Sequence, residues 1–312
     1  MTKIIDCVAI GEEIMEEIQT ETRELKAKGI TPGIATLLVG DDFGSKMYRG
    51  QVEKFCEEAG FNYVNKTLPA EATEEQVKEV VLELNGDRSV SGILPLRPFP
   101  EHISDYAVIN TIDVNKDIDC FHPFNMGKLT LGEAIFPPAT PAAVIEILER
   151  YARAEEKVDP KDFFEGAEIV VVGHSNTVGK PTALLALNRN ATTSVTHVFT
   201  SMKENLEKHT LGADILIVAA GKANLIGPEQ VREGAIVIDV GINRVKVFDE
   251  NGQPVLNDKG KQKTKTVGDV SFEAVKDKTK AITPVPRGVG SVTNRMLMRN
   301  ALKACKINYG LL

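Results

Sequence analysis

The chain has 312 residues, of which 26% are charged, and its formal net charge is −7. This length suffices for two domains with separate hydrophobic cores. The negative charge, without a basic stripe, argues against a nucleic-acid-binding protein, and no apolar run reaches the length of a membrane span. No signal peptide is expected, and the four cysteines lack C-x-x-C spacing, which is typical of reduced thiols in a cytoplasmic protein.

The first part of the chain alternates helical and strand patterns. Ser45 is predicted to open a helix that Gly60 closes, and Thr73 is predicted to cap the next helix. In chain order the predicted elements are a helix at 10–28, a strand at 34–39, a helix at 45–59, a strand at 61–67, a helix from 73 and a strand at 92–94. This alternation predicts an α/β domain without a glycine fingerprint.

A proline-rich segment at residues 137–141 is predicted to be a stiff hinge, and we place the domain boundary there. Residues 142–151 are predicted to form a helix, and residues 292–307 a last helix. Residues 245–248 begin an exposed hairpin pattern whose turn is predicted at Asn251 and Gly252, because Asn-Gly favours a primed turn.

The second part contains a set of short, nearly continuous apolar strands. They are predicted at 169–172, 194–199, 213–219 and 235–240. Such strands, joined by crossover segments, indicate a parallel sheet covered on both faces. Ligands of these sheets bind at the carboxyl ends of the strands, where the sequence places Gly173, Thr200, Gly221 and Gly241.

The first of these strands runs into a glycine turn. Gly173 ends it, and a helical pattern begins near Pro181, as in a dinucleotide-binding unit whose turn approaches a pyrophosphate. The spacing Gly173-x-Ser175-x-x-x-Gly179-x-Pro181 departs from G-x-G-x-x-G, so an ordinary strand-to-helix turn is an alternative. The three further strands favour the dinucleotide-binding interpretation.

Several longer motifs together resemble the methylenetetrahydrofolate dehydrogenase/methenyltetrahydrofolate cyclohydrolase family, nearly end to end. They are Val39-Gly40-Asp41, Ser45-x-x-Tyr48, Lys116-Asp117-Ile118-Asp119-x-Phe121-His122-Pro123, Val172-Gly173-x-Ser175-Asn176-x-Val178-Gly179-Lys180-Pro181, Asp239-Val240-Gly241-Ile242-Asn243, Val267-Gly268-Asp269-Val270 and Ile282-Thr283-Pro284-Val285-Pro286-x-Gly288-Val289-Gly290.

The resemblance implies two α/β domains, the second Rossmann-like, with a folate cleft between them and a homodimeric assembly. Residues 1–141, joined by the last helix at 292–312, would bind folate, and residues 142–291 would bind NAD(P). The implied reaction is hydride transfer from 5,10-methylenetetrahydrofolate to a nicotinamide, which depends on positioning two planar ligands. Bifunctional members then hydrolyse the methenyl product to 10-formyltetrahydrofolate, which requires a group that manages the proton of water.

The sequence departs from the family in its catalytic pair. The family pattern is Y-V-x-x-K, and the chain keeps Tyr48 but has Val52 four residues later, where the lysine would share a helix face with the tyrosine. Lys54 lies about 240° around the helix from Tyr48 and is expected to be a solvated lysine. The family glutamine that bonds the lysine is replaced by Leu96. We therefore expect an apolar wall here and weak or absent cyclohydrolase activity.

The resemblance gives Asp119 the role of gripping the pterin ring, with a loop carboxylate that caps a turn as the alternative. Asp117 is interpreted as structural, and His122 as a turn histidine, with a cleft residue as the alternative. The remaining family-derived substrate contacts are Pro286, Arg287 and Gly288. The family has glycine where Arg287 stands, and three partners are open for this cation: a folate glutamate tail, the cofactor phosphates or solvent. The family also has a cysteine where this chain has Ala139.

The choice between NADP and NAD depends on the end of the second Rossmann strand. No acid occurs at residues 199–201, which favours NADP because NAD sites place Asp or Glu there. The arginines that some members use for the 2′-phosphate are His174 and Val198 here. Thr200, Ser201, Lys203 and His174 could still contact a phosphate. The expected cofactor contacts are Gly173, His174, Ser175, Thr177, Val178, Gly179, Thr200, Ser201, Gly221, Gly241, Ile242 and Thr283, and no metal site is expected.

These observations predict a cytoplasmic, homodimeric methylenetetrahydrofolate dehydrogenase that uses NADP, with NAD as the other option, and has an impaired cyclohydrolase half. It would bind neither nucleic acid nor a membrane. One alternative is an intact bifunctional enzyme in which another group activates water. The other is a non-catalytic paralogue that binds a pterin or a nucleotide.

Overall fold

The computed structural model describes residues 2–249, 252–256, 258 and 260–312. The chain forms two compact units, and α/β architecture is present in both. The first unit, called the Rossmann unit below, comprises the residues up to Ile10 and Ala143–Val292. The second, called the pocket unit, comprises Gly11–Ala142 and Thr293–Leu312.

The strands, in chain order, are β1 (Lys3–Ile4), β2 (Gly33–Val39), β3 (Asn62–Leu68), β4 (Gly92–Pro95), β5 (Glu168–Val172), β6 (Thr192–Thr196), β7 (Ile215–Val218), β8 (Ile236–Asp239), β9 (Asn243–Lys246), β10 (Thr264–Val267) and β11 (Ala281–Ile282).

The α-helices are α1 (Cys7–Ala27), α2 (Phe43–Ala59), α3 (Glu74–Gly86), α4 (Asp105–Thr111), α5 (Pro123–Thr130), α6 (Ala139–Tyr151), α7 (Pro160–Phe164), α8 (Gly179–Leu187), α9 (Val198–Met202), α10 (Leu206–Thr210), α11 (Phe272–Val275) and α12 (Gly290–Asn308). A π-helical turn follows α6 at Ala152–Glu156, and 3₁₀ turns lie at Pro228–Gln230 and Lys276–Lys278.

The pocket unit is built on a three-stranded parallel sheet in the order β3-β2-β4. The central strand β2 is buried along its whole length, which explains its continuous apolar sequence. The core of the pocket unit is filled by side chains of the sheet and of α3 and α4, among them Leu37, Val77, Val81, Ile93 and Val108.

Local capping fixes the two helices that flank this sheet. Asp42, not Ser45, caps α2, because its side chain accepts a 2.7 Å hydrogen bond from the Ser45 N–H. Gly60 ends α2 in the left-handed conformation as predicted, with φ of 72°. Thr73 and Gln76 form a reciprocal capping box at the start of α3.

The Rossmann unit is built on a six-stranded parallel sheet in the order β1-β11-β8-β7-β5-β6. Residues of β5, β7 and β8 supply much of its core, including Val170, Leu216 and Val237. The carboxyl ends of β5, β7 and β8 lie side by side, as the sequence pattern predicted. β6 forms one edge of the sheet.

The second Rossmann strand ends earlier than the sequence indicated. β6 stops at Thr196, and Val198–Met202 forms α9, so Thr200 and Ser201 lie in a helix and not at a strand end. The Thr200 hydroxyl accepts a hydrogen bond from the His197 N–H at 3.2 Å and closes the first turn. The β-branched and aromatic residues at 198–199 had suggested a longer strand, but they are exposed instead of paired.

The predicted proline hinge at 137–141 is partly helical. α6 begins at Ala139, so Pro141 lies in its first turn, where a missing N–H costs no helical hydrogen bond. The amino-terminal segment also differs from the prediction, because β1 pairs in parallel with β11 and thereby joins the Rossmann sheet. A two-residue strand is too short to produce a readable periodicity.

β9 and β10 form an antiparallel ribbon that pairs Asn243 with Val267 and Lys246 with Thr264. β9 therefore begins two residues before the arm predicted at 245–248, and its partner β10 begins at Thr264. Phe248, at the end of the predicted arm, pairs with Pro254 through an isolated antiparallel bridge. Of the predicted turn, Asn251 lies outside the described residues, and the Gly252 N–H donates to the Asp249 carbonyl at 3.0 Å.

Among the described helices, none combines the length and the apolar composition that crossing a bilayer requires. Within the same described ranges, no group of three or more His, Cys, Asp or Glu residues is arranged to hold a metal ion.

Candidate active site

A pocket of about 320 Å³ opens in the pocket unit, where the carboxyl end of β4 meets the first turns of α2. We call it the tyrosine pocket. Its lining residues are Gly44, Ser45, Tyr48, Leu94, Pro95, Leu96, Arg97, Asp119 and Phe121. Three of the residues singled out from the sequence, Tyr48, Leu96 and Asp119, thus share one cavity.

Tyr48 and Asp119 are the ionisable pair of this pocket. Burial raises the pKa of the Tyr48 phenol well above its ordinary value, and the nearby Asp119 charge raises it further. Asp119 is half-buried, and desolvation raises the pKa of its carboxyl to about 7 against the opposing effect of the Ala139 hydrogen bond. Near neutral pH the pocket therefore holds a protonated phenol that donates a hydrogen bond and a carboxyl poised between its two protonation states.

Asp119 makes a capping hydrogen bond and also lines the tyrosine pocket. Its Oδ1 accepts a 2.7 Å hydrogen bond from the N–H of Ala139, the first residue of α6, so it does cap a turn. It also lines the tyrosine pocket, where the carboxyl is available to a ligand. The capping contact fixes the orientation of the carboxyl, and the pocket side presents it.

Val52 and Leu96 occupy different depths. Leu96 lines the pocket although it is only 2% exposed, whereas Val52 is fully buried one helical turn beyond Tyr48 and does not line the cavity. Both side chains are apolar and shielded from solvent. The wall at Leu96 therefore offers no polar group to a substrate.

Arg97 was not singled out as a site residue, yet it is the cation that lines the tyrosine pocket. Its guanidinium carbon lies 4.0 Å from the centroid of the Phe121 ring, and Nη1 is 3.6 Å from Asp105 Oδ2. Stacking on an aromatic face holds a planar guanidinium in place. The sequence feature that could have identified Arg97 as a site residue is its position in the proline-rich turn directly after β4.

The motif around Asp119 also contains residues that only support it. Asp117 accepts hydrogen bonds from the N–H groups of Phe121 and His122 and from the Asn125 side chain, all at 2.8–2.9 Å. His122 Nδ1 accepts from the Phe124 N–H at 3.1 Å and caps α5. Asp117 and His122 thus hold the loop that carries Asp119.

The Rossmann unit contains a groove of about 410 Å³ at the carboxyl ends of β5, β6 and β7. We call it the dinucleotide groove. It is lined by Val172, Gly173, His174, Ser175, His197, Val198, Ser201, Ala219, Ala220, Lys222 and Leu225. Among the predicted cofactor contacts, Gly173, His174, Ser175 and Ser201 line it.

The turn at the start of this groove requires glycine. Gly173 has φ of +126°, and a Cβ there would overlap the Ala219 carbonyl. A Cβ on Gly179 would likewise overlap the Gly173 carbonyl. β5, the loop after β7 and the start of α8 therefore approach each other more closely than any other residue type permits.

The same turn presents unpaired backbone donors. Ser175 Oγ accepts from the N–H groups of Val178 and Gly179, at 3.1 and 3.4 Å, and so ties the turn to the first residue of α8. In the part of the chain that the structure describes, the backbone N–H groups of residues 174–177 have no acceptor, and these residues are exposed. Consecutive free N–H groups ahead of a helix suit a pyrophosphate, so the site fits a dinucleotide.

Two buried aspartates organise the loops beside the groove. Asp269 Oδ2 accepts from the N–H groups of Ala220 and Gly221 at 2.7 and 2.8 Å, and Oδ1 accepts from Asn243 Nδ2 at 2.8 Å. Asp239 accepts from the N–H groups of Gly241, Asp269 and Val270, and burial raises its pKa to about 6. These carboxylates therefore shape the glycine turns after β7 and β8.

The other predicted cofactor contacts do not line the groove itself. Gly221, Gly241 and Ile242 lie in the loops after β7 and β8, and Thr283 Oγ1 accepts from the Asp239 N–H at 2.8 Å. Val178 and Gly179 begin α8 beside Thr177, and Thr200 is used inside α9. All of them lie near the carboxyl edge of the Rossmann sheet.

The loop after β11 carries Pro286, Arg287 and Gly288 in the Rossmann unit. Arg287 is exposed and has φ of +72°, a left-handed conformation that disfavours side chains other than glycine. A Cβ on Gly288 would overlap the Pro284 carbonyl.

Comparison with known proteins matches nearly the whole chain to one family. Residues 5–119 match the family model described as "Tetrahydrofolate dehydrogenase/cyclohydrolase, catalytic domain", and residues 138–309 match "Tetrahydrofolate dehydrogenase/cyclohydrolase, NAD(P)-binding domain". The "Bifunctional protein FolD" of Bacillus pumilus is 44% identical over 303 residues, which cover 97% of each chain.

Solved structures agree. A bifunctional FolD methylenetetrahydrofolate dehydrogenase/cyclohydrolase from Campylobacter jejuni has a TM-score of 0.86 and 39% identity, covering 98% of this chain and 99% of its own. The Trypanosoma brucei FolD, solved with NADP and an inhibitor, has a TM-score of 0.85 and 32% identity, covering 99% of this chain and 98% of its own.

Proposed function

Because the chain belongs to the tetrahydrofolate dehydrogenase/cyclohydrolase family, we propose that it oxidises 5,10-methylenetetrahydrofolate to 5,10-methenyltetrahydrofolate with NADP. The observation that carries this proposal is the pairing of two sites of different chemistry in one chain. The tyrosine pocket offers Tyr48 and Asp119 to a planar polar ring. The dinucleotide groove offers a glycine turn with free N–H groups.

Asp119 and Tyr48 would orient the substrate. A carboxyl fixed through the Ala139 N–H holds its second oxygen toward the pocket, where it can accept from the amine and ring nitrogen of a pterin. The Tyr48 phenol stays protonated over the working pH range and donates a hydrogen bond. Orientation of this kind is the main requirement for hydride transfer.

NADP, when bound, supplies the hydride acceptor. The free N–H groups of residues 174–177 would hold its pyrophosphate, and Asp269 would keep the Ala220–Gly221 turn in place beside it. Among the described residues that line the groove none is a carboxylate, which supports NADP over NAD.

We further propose that the cyclohydrolase activity is weak. The support is Val52 and Leu96, which occupy the positions where the resemblance implies a lysine and the glutamine that bonds it. Without these groups, neither an ammonium nor an amide assists the attack of water on the methenyl cation from this wall. The lysine and the glutamine are expected to be lost together, because either one alone would be a buried polar group without a hydrogen-bond partner.

The intact bifunctional enzyme is the second candidate, and the names of the relatives favour it over an impaired one. Asp119 is the group in this chain that would replace the lysine. Its raised pKa of about 7 suits a group that accepts a proton from water near neutral pH. Arg97 in the same pocket would contribute charge but no base, because a guanidinium stays protonated.

A paired assay on the full chain separates these candidates. One part follows the reduction of NADP and of NAD with 5,10-methylenetetrahydrofolate, and the other follows the decay of 5,10-methenyltetrahydrofolate against buffer. Dehydrogenation without excess decay supports the proposal. Excess decay that disappears in Asp119→Asn supports the bifunctional candidate, and the absence of both activities would leave a non-catalytic binding paralogue.

We also propose a homodimer in the cytoplasm. β6 is an edge strand, and Val195, Phe199 and Met202 expose apolar surface along it and the following α9. Such an edge favours pairing with a second copy. The four cysteines are unpaired and buried, as in a reducing compartment. Sedimentation of the wild type and of Val195→Lys tests the dimer, since a charge on this edge should yield monomers.

A further inference from the structure

Two histidines meet where the first two Rossmann strands end. Val172 and Thr196 are partners in the register of β5 and β6, and the Gly173 N–H donates to the Thr196 carbonyl at 2.9 Å. His174 follows Gly173 in the chain, and His197 follows Thr196. Their ring centroids are 4.8 Å apart, with the rings tilted by 35°.

One nitrogen of this pair lacks a partner. His197 Nδ1 is buried without a hydrogen bond to any described residue, although the ring also meets Phe199 at 5.8 Å. Buried polar atoms are normally paired, so an unpaired one at the wall of a groove indicates a ligand. The His174 ring beside it is exposed.

The described side chains that line the groove around this pair are either uncharged or able to carry a positive charge. Among the described groove-lining residues, the titratable ones are His174, His197 and Lys222, and no carboxylate is present. α9 contributes the Ser201 hydroxyl, and the loop after β7 contributes Lys222. On the glycine turn, the neighbouring Lys180 is bonded to Asn176 Oδ1 at 2.8 Å.

The end of the second strand is where Rossmann sites contact the adenosine ribose, and NAD-specific sites place an acid there. In this chain the residue at that point is His197. We propose that His174 and His197 together bind the 2′-phosphate of NADP and that their protonation makes the preference for NADP over NAD depend on pH. This inference rests on the proposed use of NADP.

The direction of the effect follows from linkage. An unperturbed histidine titrates at about 6.5, and a phosphate of second pKa about 6 is largely dianionic above that pH. The dianion favours the imidazolium, so binding takes up protons near neutral pH. Affinity for the 2′-phosphate is then highest at low pH in this window and declines as pH rises, by about tenfold for each unit by which binding raises the histidine pKa.

The experiment is calorimetry of the full chain with 2′,5′-ADP and with 5′-AMP at pH 6.5 and 8.5, in two buffers of different ionisation enthalpy. We expect the ratio of the two affinities to fall about tenfold between the two pH values and protons to be taken up only with 2′,5′-ADP. His174→Gln should lower the ratio at pH 6.5 toward its value at pH 8.5. His209→Gln, on α10 outside the groove, is the matched control and should leave the ratio unchanged.

A proton NMR titration of the five histidines covers the case in which substitution of His197 disturbs the fold. We expect two C2 proton resonances to shift to higher pKa when 2′,5′-ADP is added. A ratio that is independent of pH, with 2′,5′-ADP bound and no histidine shifted, would overturn the inference and leave the proposed function intact. Failure of both nucleotides to bind would overturn both.

Discussion

The carboxylate of Asp119 accepts a 2.7 Å hydrogen bond from the backbone N–H of Ala139, the first residue of α6. This bond joins the carboxyl that we propose to orient the substrate to the first turn of α6. It leaves the carboxyl oriented but still desolvated, so that its pKa is raised to about 7.

Asp119→Asn should change how stability depends on pH. A carboxyl whose folded pKa of about 7 exceeds its unfolded value of 3.8 binds more protons when folded, so the wild type loses stability as pH rises from about 4 to about 7. Asn keeps the acceptor for the Ala139 N–H but does not titrate. Urea unfolding should show the wild type falling relative to the variant by on the order of 1 kcal/mol per pH unit in this window. Equal pH dependence of the two proteins would contradict the raised pKa.

Val52→Lys and Leu96→Gln should restore hydrolysis only in combination. Both sites are buried, so the lysine alone should lower the unfolding free energy by on the order of 3 kcal/mol and the glutamine alone by about 1–3 kcal/mol. If the pair bonds as the resemblance implies, the double variant should lose less than the sum and should accelerate methenyltetrahydrofolate decay.

Leu82→Gln, on the exposed face of α3, provides the control for this pair and should change neither stability nor decay. A double variant as destabilised as the sum of the singles would show that the two positions do not interact.

Gly173→Ala should abolish cofactor binding. Its Cβ would overlap the Ala219 carbonyl and displace the turn that presents the free N–H groups. Gly234→Ala is a matched control, because Gly234 also has positive φ, at +75°, but its Cβ would meet no atom within 4 Å. The control should cost about 1 kcal/mol of stability and keep nucleotide affinity when both are measured by calorimetry.

Asp269→Asn should weaken the cofactor site by disordering the turn after β7. Asn places an NH₂ group against donors that now face a carboxylate, so at least one of Ala220 N–H, Gly221 N–H and Asn243 Nδ2 loses its acceptor. The expected cost is about 1–3 kcal/mol of stability, with a parallel loss of nucleotide affinity. Asp277→Asn, at an exposed site of the same unit, should have no such effect.

Arg287→Gly should stabilise the chain. The left-handed conformation at φ of +72° costs a non-glycine residue about 1–2 kcal/mol, which exceeds the entropic cost of glycine, so a gain of about 0.5–1 kcal/mol is expected. Glu204→Gly, at φ of +56° on the surface, sets the scale for strain alone. Affinities of the variant for substrate and for NADP then decide among the three partners open for Arg287: a drop for one of them identifies it, and no drop leaves solvent.

The sequence by itself determined the features that depend on neighbouring residues. The capping box at Thr73, the left-handed end at Gly60 and the glycine turn at Gly173 were all readable, because each is fixed by the conformational preference of a few consecutive residues. The apolar runs of β5, β7 and β8 were readable for a related reason, since strands buried on both faces tolerate little polarity.

Only the tertiary structure decided the features that depend on distant partners. The pairing of β1 with β11 joins residues 3–4 to 281–282, and no local pattern contains that information. The end of β6 at Thr196 was set by which residues find strand partners, whereas the β-branched run had indicated a longer strand. The same difference places His197, rather than Thr200 or Ser201, directly after the end of that strand.

Arg97 shows the same limit at the tyrosine pocket. In the sequence it is one arginine in a proline-rich turn, and its place beside Tyr48 and Asp119 arises because β4 ends next to the start of α2. Local propensity decides which elements form and where they are capped. The burial and hydrogen bonding that bring remote elements together decide which side chains share a pocket, and the pKa of Asp119 follows from that arrangement.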